Sequence, residues 1–376
     1  MKENYRVCAK SVMDTNSDPD IRFDKDGISN YFYEYHQRAK FRLFNKPEDP
    51  ERLTEIITKI KQAGIGKEYD CIIGVSGGVD STYIAYRAKE LGLRPLAIHF
   101  DNGWNSELAV KNIENTLNKL NIDLLTYVID WQEFKSLQLA FLRASTPDGE
   151  IPTDHAIFAL FFKIANEKSI KYVINGNNFE TESVMPISWS YGHIDWRYIK
   201  SINKEFGKST LKTYPTITPI KYFYYTFIKG IRIISLLNYM EYNKPNAMEI
   251  LKEKLGWKYY GGKHYESIYT RFYQGYILPM KFGIDKRKAH LSSLIFANQM
   301  SKKEALEELQ KPIYPESLLN EDLDFVLKKL ELTQDEFEAI MKLPNKSFYD
   351  YPNRYKILQK LKMILNKLRG KGLAYS

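Results

Sequence analysis

The feature that most constrains this chain is an alternation of short apolar runs with amphipathic stretches. Four short runs are predicted to be strands, at residues 69–75, 95–100, 124–129 and 172–175, the first of them buried. Helical spacing of apolar residues marks four longer stretches, at residues 51–62, 80–91, 106–120 and 153–168. Strands that alternate with helices of this length imply right-handed crossovers between parallel neighbours. The sequence therefore predicts an α/β fold in which a parallel sheet is covered on both faces.

The 376 residues, 44% of them hydrophobic, are enough for one large α/β domain with a smaller satellite. We place the α/β domain at residues 46–220, after an irregular N-terminal element at residues 1–45 that is rich in Asp, Asn and aromatic residues. From about Ile220 the chain is predicted to become helical, basic and aromatic, which gives a mainly helical substrate or partner region at residues 221–376. Its amphipathic helices are expected at residues 304–309, 322–330, 334–341 and 355–368.

A glycine-rich loop, Ser76-Gly77-Gly78-Val79-Asp80-Ser81, directly follows the first predicted strand and precedes a helix. Adjacent glycines permit positive φ angles, and successive amides before a helix N-terminus form an anion-binding concavity. Ser76 and Ser81 add hydroxyl donors, while Asp80 can cap the helix or help to hold Mg²⁺. Turns of Ser, Gly and Asp also begin many helices that bind nothing, but the strand–loop–helix context favours phosphate binding. The pattern GxxxxGK[ST] is missing, so this is not a Walker A loop.

Polar residues also follow the second and fourth predicted strands. The second strand ends in His99-Phe100-Asp101-Asn102, and the fourth ends in Asn175-Gly176-Asn177-Asn178, followed by Glu180. Because the carboxyl ends of parallel strands meet at one edge of a sheet, both groups are expected to face the crevice beside the loop. The alternative for the second group is an ordinary Asn/Gly turn.

The SGGVDS loop resembles the PP-loop of ATP pyrophosphatases, which cleave ATP between the α and β phosphates. This resemblance implies a Rossmann-like domain of the adenine nucleotide alpha hydrolase type. Longer stretches are similar to the N-acetyl sugar amidotransferase family, at residues 99–104, 152–155, 175–183, 257–266, 270–274 and 278–293. The resemblance runs from about residue 5 to about residue 350, and the GGKHYES and KFGIDKR stretches are its most specific parts.

The family resemblance implies a reaction. An acetamido group of a nucleotide-activated sugar would become an acetamidino group, for lipopolysaccharide O-antigen or flagellar glycans. The amide oxygen would attack the α-phosphorus of ATP and expel pyrophosphate, and ammonia would then replace AMP on the resulting O-adenylyl imidate. ATP and Mg²⁺ are the implied cofactors.

The resemblance also implies roles for particular residues. It gives ATP contacts to Ser76, Gly77, Gly78, Val79, Asp80, Ser81, His99, Asp101, Asn102, Gly176 and Asn177. Candidate catalytic residues are Asp80, Ser81, His155, Lys263 and Lys286, with Asp80 also a candidate Mg²⁺ ligand. Candidate substrate contacts are Thr153, Asp154, Glu180, His264, Glu266, Arg271, Lys281 and Arg287. The alternatives are that Thr153 and Asp154 only cap a helix, and that individual basic residues are solvated surface charges.

The chain contains two cysteines, Cys8 and Cys71, so it has no disulfide framework and a reducing cytoplasm is the expected location. Cys71 lies at the start of a predicted buried strand, and Lys2 excludes an N-terminal cysteine nucleophile. Ammonia is therefore expected from solution or from a separate class I glutaminase subunit.

The N-terminal element departs from the family pattern. Family members carry paired CxxC units of a type that binds structural zinc. The matching positions here read Cys8, Ser11, Ser29 and Phe32. We expect a degenerate zinc-ribbon-like element that binds no zinc and packs around Phe32.

Other functions and partners stay open on the sequence alone. A net charge of +9 and an aromatic content of 14% suit a tRNA-modifying PP-loop enzyme, but no Lys/Arg-dense tract supports nucleic acid as the partner. Loss of the zinc cysteines suits a catalytically silent subunit, against which the intact loop argues. Residues 223–240 are short for a membrane span and are interrupted by Lys229 and Arg232, which favours a buried or partner-facing helix over an interfacial one. The sequence leaves open which sugar is modified and whether the chain forms a homo-oligomer.

Overall fold

The computed structural model describes residues 5–44, 51–262 and 264–360. Its centre is a five-stranded sheet in which every neighbouring pair is parallel, with the order β3-β2-β1-β4-β5. The strands are β1 (Cys71–Gly74), β2 (Pro95–Asp101), β3 (Leu124–Val128), β4 (Tyr172–Asn175) and β5 (Arg232–Ser235). The direction of winding reverses between β1 and β4, so the crevice at their carboxyl ends is the expected ligand site. The predicted α/β class with a parallel sheet is confirmed.

Helices surround the sheet and form most of the C-terminal region. In chain order they are α1 (Asn30–Arg42), α2 (Glu51–Ala63), α3 (Val79–Glu90), α4 (Glu107–Leu120), α5 (Trp131–Ala144), α6 (Ile151–Glu167), α7 (Phe179–Glu182), α8 (Trp196–Phe206), α9 (Pro219–Phe223), α10 (Lys244–Leu255), α11 (Ile268–Phe272), α12 (Arg287–Phe296), α13 (Lys302–Gln310), α14 (Glu316–Leu330) and α15 (Gln334–Lys342). The π-helical segments Tyr224–Ile228 and Tyr273–Phe282 continue α9 and α11, and short 3-10 helices lie at Leu236–Tyr239 and Phe348–Asp350.

The strands and helices predicted between residues 51 and 175 are all present and differ from the prediction only at their ends. The helices predicted at residues 304–309, 322–330 and 334–341 correspond to α13, α14 and α15. Residues 355–360 are helical, and the rest of the helix predicted at residues 355–368 lies outside the described residues. Helix α5 was not predicted, and it is buried along most of its length.

The structure corrects the prediction that the chain becomes helical from Ile220. Residues 219–228 are helical, but β5 follows, and it pairs in register with β4 from Tyr172↔Arg232 to Asn175↔Ser235. The run Arg-Ile-Ile-Ser is too short to show a period of its own, so pairing with β4 decides that it is a strand. The domain boundary predicted at residue 220 therefore falls ahead of the last strand of the sheet.

Alternate residues of the central strands enter two separate cores. On one face, Ile72 and Val173 are buried with side chains of α5, α6 and α8. On the other face, Ile73 and Ile174 are buried with side chains of α2, α3, α4 and α10. Helices cover both faces, as the sequence predicted, and the ligand site is left to the carboxyl edge of the sheet.

The N-terminal region contains helix α1 where the sequence predicted an irregular element. Residues ahead of α1 are anchored on the C-terminal region: the Val12 amide donates to Ser292 Oγ at 3.3 Å, and Lys302 Nζ donates to the Cys8 carbonyl at 2.7 Å. Tyr35 of α1 is buried and stacks on Phe179 of α7, with 5.1 Å between ring centroids. The element therefore packs against the helices that follow the sheet.

The positions that match the zinc ligands of the family do lie together. The Ser29 amide donates to Cys8 Sγ at 3.2 Å, and Phe32 packs edge-on against Phe296. Burial opposes ionisation of the Cys8 thiol, but hydrogen bonds from Ser11 and Ser29 bring its pKa below the usual value. The described residues contain no group of three or more His, Cys, Asp or Glu side chains placed to hold a metal ion. That the element binds no zinc stays a prediction.

No helix in the described ranges combines the length and the apolar character needed to cross a bilayer.

Candidate active site

The glycine-rich loop leaves the carboxyl end of β1 and runs directly into α3. Gly77 has a φ angle of +78°, and Gly78 is the N-cap residue of α3, with no side chain capping the helix. A Cβ at Gly77 would lie 2.4 Å from the carbonyl oxygen of Ala109 in α4, so only glycine fits there. The predicted strand–loop–helix arrangement is present.

Hydrogen bonds inside the loop fix its curvature. Ser81 Oγ accepts from the Ser76 amide and donates to the Gly78 carbonyl, each at 3.2 Å. The two serine hydroxyls lie 3.1 Å apart, and Ser76 Oγ accepts from the Gly78 amide at 3.3 Å. Both serines therefore shape the loop, while the uncapped end of α3 contributes donors and partial positive charge.

Asp80 lies in the first turn of α3, at the contact between the loop and β4. Its carboxylate accepts a hydrogen bond from the Tyr242 hydroxyl. A Cβ at Gly176 would lie 3.3 Å from the backbone of Asp80 and Ser81, so the turn after β4 packs directly on the loop. The absence of a side chain at Gly176 therefore allows this close contact between the turn and the loop.

Residues 257–262 and 264–266 lie over the loop. The Tyr260 hydroxyl accepts from the Val79 amide at 3.1 Å, and Trp257 Nε1 donates to the Gly77 carbonyl at 3.0 Å. Glu266 Oε1 lies 3.1 Å from the position of a Cβ on Gly78, which places a carboxylate against the loop. Glu266 Oε2 is buried and accepts no hydrogen bond from the described residues. Burial opposes its ionisation, but the neighbouring His264 keeps the pKa of Glu266 below its usual value.

A cavity of about 1300 Å³ adjoins the loop across the turn after β4. Its polar lining includes Asp154, Asn175, Asn177, Glu182, His264 and Lys286. An apolar wall comes from α6 and from the segments around residues 184–194 and 222–233. The cavity therefore has room for a small molecule with a charged end and an apolar end.

Asp154 is the most perturbed carboxyl group of this cavity. Its side chain is open to the cavity and accepts no hydrogen bond from any residue that the structure describes. Although the side chain is exposed to the cavity, the surrounding protein reduces its hydration, and this effect, followed by the charge of Glu150, raises the pKa of Asp154 to about 7. Lys286 and His264 oppose this rise, while Glu182 adds to it. A carboxyl group with this pKa can accept and release a proton near neutral pH.

Lys286 and His264 are placed on the cavity by carboxylate partners. Lys286 Nζ lies 3.6 Å from Glu150 Oε2, to which Gln274 Nε2 donates at 2.6 Å. His264 Nδ1 lies 3.7 Å from Glu266 Oε1. His264 has a φ angle of +63°, a backbone region that favours glycine, so its ring is held by a constrained turn.

Asp101 and Asn102 lie at a second cavity of about 590 Å³, beyond the ends of β2 and β3. Trp131, Phe325 and Lys329 also line it, and Lys329 Nζ lies 5.0 Å from the ring centroid of Trp131. Asp101 accepts from the Gly103 amide at 2.8 Å. Both predicted ATP contacts thus reach a cavity with aromatic walls.

His99 ties β1 to β2 behind the loop. Its Nδ1 lies 3.0 Å from the Val75 carbonyl, and its Nε2 lies 3.1 Å from Asn105 Nδ2. With both ring nitrogens engaged, His99 positions the strand ends. Its predicted contact with ATP stays a prediction.

His155 is placed in the core behind the cavity. Its Nδ1 lies 2.7 Å from the His193 carbonyl, and its Nε2 accepts from the Ile217 amide at 3.2 Å. The ring lies nearly parallel to those of Trp196 and Tyr214, with centroids 5.7 and 6.2 Å away, and burial lowers the pKa of His155 to about 4. The structure therefore gives His155 a packing role, away from the lining of the cavity.

Three basic residues that the family resemblance assigned to the substrate are engaged elsewhere. Arg271 makes a two-point pair with the buried Asp322, with both N–O distances at 2.6 Å. Arg287 pairs with Asp285 and donates to carbonyls at the end of α13. Lys281 Nζ donates to the carbonyls of residues 340, 341 and 343 and so caps α15. Arg271 and Arg287 still form part of the cavity wall, whereas Lys281 is not among the residues that line it.

Of the remaining predicted residues, Asn177 lines the large cavity, Thr153 and Glu180 are not among the residues that line it, and one lies outside the described chain. Thr153 Oγ1 accepts from Asn102 Nδ2 at 3.4 Å, and Glu180 Oε2 accepts from Gln299 Nε2 at 3.0 Å. Lys263 lies outside the described residues.

Sequence reasoning did not single out Tyr242, Tyr260 or Glu182. Tyr260 belongs to the stretch of residues 257–266 that carries the family resemblance, so its neighbours Gly261 and Gly262 were a usable signal. Tyr242 is far from the loop in sequence and reaches Asp80 only through the fold. No local pattern could have identified it.

Comparison with known proteins supports the family resemblance. Residues 266–362 match the C-terminal domain of the LPS biosynthesis protein WbpG-like family. The predicted resemblance is confirmed over these C-terminal residues. An uncharacterized protein of Methanocaldococcus jannaschii is 24% identical over 279 residues, which cover 72% of this chain and 82% of that protein.

Similar solved structures were also found. The NH3-dependent NAD synthetase of Campylobacter jejuni is 15% identical with a TM-score of 0.29, covering 79% of this chain and 99% of that chain. The NMN synthetase of Francisella tularensis is 14% identical with a TM-score of 0.30, covering 71% and 98%. At these scores the likeness carries no argument about fold or activity.

Proposed function

We propose that this protein is an ATP-dependent amidotransferase that converts an acetamido group of a nucleotide-activated sugar into an acetamidino group. One observation carries the proposal. The glycine-rich loop, at the N-terminus of α3, lies next to a cavity that is lined by Asp154, His264 and Lys286. The match of residues 266–362 to WbpG-like lipopolysaccharide biosynthesis proteins supports this substrate class.

In the first half-reaction, the acetamido oxygen attacks the α-phosphorus of ATP. The new O–P bond forms as the bond to pyrophosphate breaks, the amide nitrogen gives its proton to water, and an O-adenylyl imidate results. The amides of residues 77–79 and the N-terminus of α3 bind the leaving pyrophosphate. Lys286 and His264 neutralise negative charge from the cavity side. No residue of the protein needs to form a covalent bond with the substrate.

The residues beside the loop fit the Mg²⁺ that ATP-dependent chemistry of this kind requires. Asp80 supplies a carboxylate in the first turn of α3, and Glu266 Oε2 is a buried oxygen without a hydrogen bond from the described residues. Hard oxygen ligands of this kind suit Mg²⁺. When bound, the ion would neutralise charge on the phosphates, and Asp80 and Glu266 would hold it.

The second cavity supports a site for the nucleoside of ATP. Trp131 and Phe325 offer aromatic surface, and Asp101 offers a carboxylate at the end of β2. We assign the adenosine to this cavity, consistent with the predicted contacts of Asp101 and Asn102.

In the second half-reaction, Asp154 accepts a proton from ammonium. Ammonium has no lone pair, so it must lose a proton before it can attack the imidate carbon. The carboxylate form of Asp154 takes that proton, ammonia adds to the carbon, and AMP leaves with the oxygen. The product retains the positive charge as an amidinium, and Asp154 returns its proton to water. With its pKa raised to about 7, Asp154 has suitable basicity for this step.

The ammonia is proposed to come from a separate class I glutaminase. Both cysteines of the chain are buried, and burial raises the pKa of the Cys71 thiol far above its usual value. Cys71 therefore lacks the thiolate character that a glutaminase nucleophile needs, and Cys8, whose pKa is lowered, is buried and lacks the access. The two thiols are unpaired, which fits the proposed cytoplasmic location. We add that a homo-oligomer is compatible with this reaction.

The decisive experiment measures AMP and pyrophosphate release from ATP and Mg²⁺ with ammonium chloride. It is run with a panel of acetamido nucleotide sugars, and with bulk tRNA as a comparator. We expect release to depend on one sugar, whose product has exchanged one oxygen for an NH group by mass spectrometry. Release stimulated only by tRNA would overturn the substrate class, and no release with any sugar would overturn the amidotransferase.

A further inference from the structure

Residues 219–228 form a continuous helical ridge, α9 followed by a π-helical turn, with an apolar stripe on its outer side. The stripe consists of Ile220, Phe223, Tyr224, Phe227 and Ile228, at the i, i+3, i+4, i+7, i+8 spacing of an amphipathic helix. Such a stripe normally packs against a core. Here the exposed fractions of these five side chains range from 41% to 82%.

The inner side of the ridge is attached to the protein. Tyr222 and Tyr225 pack against the main core, and Tyr225 stacks on Phe162 with 5.8 Å between ring centroids. Within the described chain, no residue of the ridge is itself buried. The ridge is therefore held in place while its apolar stripe faces outward.

The charged residues next to the ridge in the sequence are all basic, whereas across the fold Glu167 at the end of α6 adds to the effect of burial in raising the pKa of Tyr225 on the inner side of the ridge. Residues 207–240 contain no Asp or Glu but include Lys221, Lys229 and Arg232 within the ridge and directly after it. Lys221 and Arg232 are exposed, and Lys229 Nζ lies 5.5 Å from the ring centroid of Tyr224. Long basic side chains of this kind can place their charge at the level of lipid headgroups while aromatic rings lie below it.

We propose that the ridge of residues 219–228 is an interfacial anchor that binds the surface of anionic membranes. Exposed Phe, Tyr and Ile side chains on a short helix, whose charged neighbours in the sequence are all basic, match the chemistry of the boundary between headgroups and acyl chains. A second copy of the chain is a poorer occupant, because a symmetric contact would bring the same positive charges together. A protein groove would have to be both apolar and acidic.

The location of the ridge gives the anchor a consequence for the cavity. Phe227 belongs to the stripe and also lines the large cavity, together with Tyr222 and Thr226. Docking on a membrane would therefore bring one wall of the cavity next to the lipid surface. The proposal does not rest on the proposed reaction.

The test is flotation of the full chain with vesicles of phosphatidylcholine mixed with phosphatidylglycerol, and with vesicles of phosphatidylcholine alone. We expect binding to the mixed vesicles that weakens as salt is raised. The double variant Phe223→Asn with Phe227→Asn should bind about tenfold or more weakly, because it removes two aromatic rings from the interface. Both side chains are more than half exposed, so the fold should tolerate the change.

The matched control is Phe41→Asn, which removes a phenylalanine that is 63% exposed on α1 and should leave vesicle binding unchanged. Absence of binding to the mixed vesicles would overturn the proposal. Equal binding to both vesicle types would overturn the role of the basic residues. Equal loss of binding in the Phe41→Asn control would overturn the assignment to the ridge. The assignment would also be overturned if the double variant converted a dimer to a monomer and left vesicle binding unchanged.

Discussion

The glycine-rich loop and the basic residues of the C-terminal region acquire their roles in different ways. The loop works through its backbone, so its conformation is set by neighbouring residues and by the close contact of Gly77 with Ala109. A basic side chain works through its partner, which can lie anywhere in the sequence. Arg271 forms an ion pair with Asp322, and Lys281 donates hydrogen bonds to carbonyls at the end of α15. Lys286 instead lines the cavity. A phosphate-binding loop can therefore be recognised locally, while the role of a charge depends on the tertiary structure.

The largest expected effect is on stability, and it tests whether Arg271 is structural. Arg271→Met leaves the carboxylate of Asp322 buried without its cation, and we expect the free energy of unfolding to fall by about 3–5 kcal/mol. Urea denaturation measures this. Arg87→Met, which removes a partly exposed pair with Glu90, is the control and should cost at most about 1 kcal/mol. Normal stability of Arg271→Met together with a large loss of sugar binding would show that Arg271 contacts the substrate.

The second prediction tests the loop region. Asp80→Asn keeps an oxygen that can accept from Tyr242 but removes the negative charge, so pyrophosphate release should fall by about 10²–10³-fold, or ~2.7–4 kcal/mol. Thermal unfolding should stay close to that of the parent protein. Asp123→Asn is a matched control, because Asp123 also accepts from a tyrosine hydroxyl, that of Tyr69, at the opposite end of the sheet. Near-normal turnover of Asp80→Asn would remove Asp80 from the reaction.

The third prediction concerns Asp154, which lies between the two regions. The base form of Asp154 exists above its pKa, so turnover with ammonium should rise through pH 7 and be lost below it. Asp154→Asn should lower turnover by about 10²-fold and abolish this step in the pH profile. Turnover of Asp154→Asn should then increase with pH only as the concentration of free ammonia increases, and this smooth increase serves as the internal reference.

Glu150 offers a way to shift that profile. Because the charge of Glu150 raises the pKa of Asp154, Glu150→Gln should move the acid limb to lower pH. Gln at this position can still accept from Gln274. An unchanged profile would mean that another group controls it.

The smallest expected effect is at Lys281. Lys281→Met removes the donor that caps α15 and should lower the free energy of unfolding by about 1 kcal/mol, with unchanged turnover. Calorimetry and the pyrophosphate assay together check this. Loss of turnover without loss of stability would show that Lys281 contacts the substrate after all.

The sheet was largely predictable from the sequence, and its exceptions have physical causes. Strands β1 to β4 were recognised because each is a short apolar run between helices with clear periodicity. Strand β5 was missed because Arg232–Ser235 becomes a strand only through pairing with β4. Helix α1 was missed because its apolar residues are mostly tyrosine and phenylalanine among charged residues, which gives a weak stripe.

The candidate site was predictable where it depends on backbone. Residues 76–81 lie where the pattern placed them, and Asn177 and Asp154 line the adjoining cavity. His155 is different, because the sequence could not reveal that the His193 carbonyl and the Ile217 amide occupy both its nitrogens. The same limit explains why Tyr242 was not foreseen beside Asp80.

Under the proposed function, the hydroxyl of Tyr260 on the Val79 amide competes with the nucleotide for that amide. Phosphate and tyrosine cannot both accept from the amide in the same way, so we expect ATP to bind fully only to molecules in which Tyr260 has moved away from Val79. The measured dissociation constant is then the intrinsic one divided by the fraction of molecules that are open. Because the Tyr260 hydroxyl belongs to the same chain, its local concentration does not change on dilution. The observed rate of ATP binding should therefore become independent of ATP concentration once the movement of Tyr260 away from Val79 is rate-limiting.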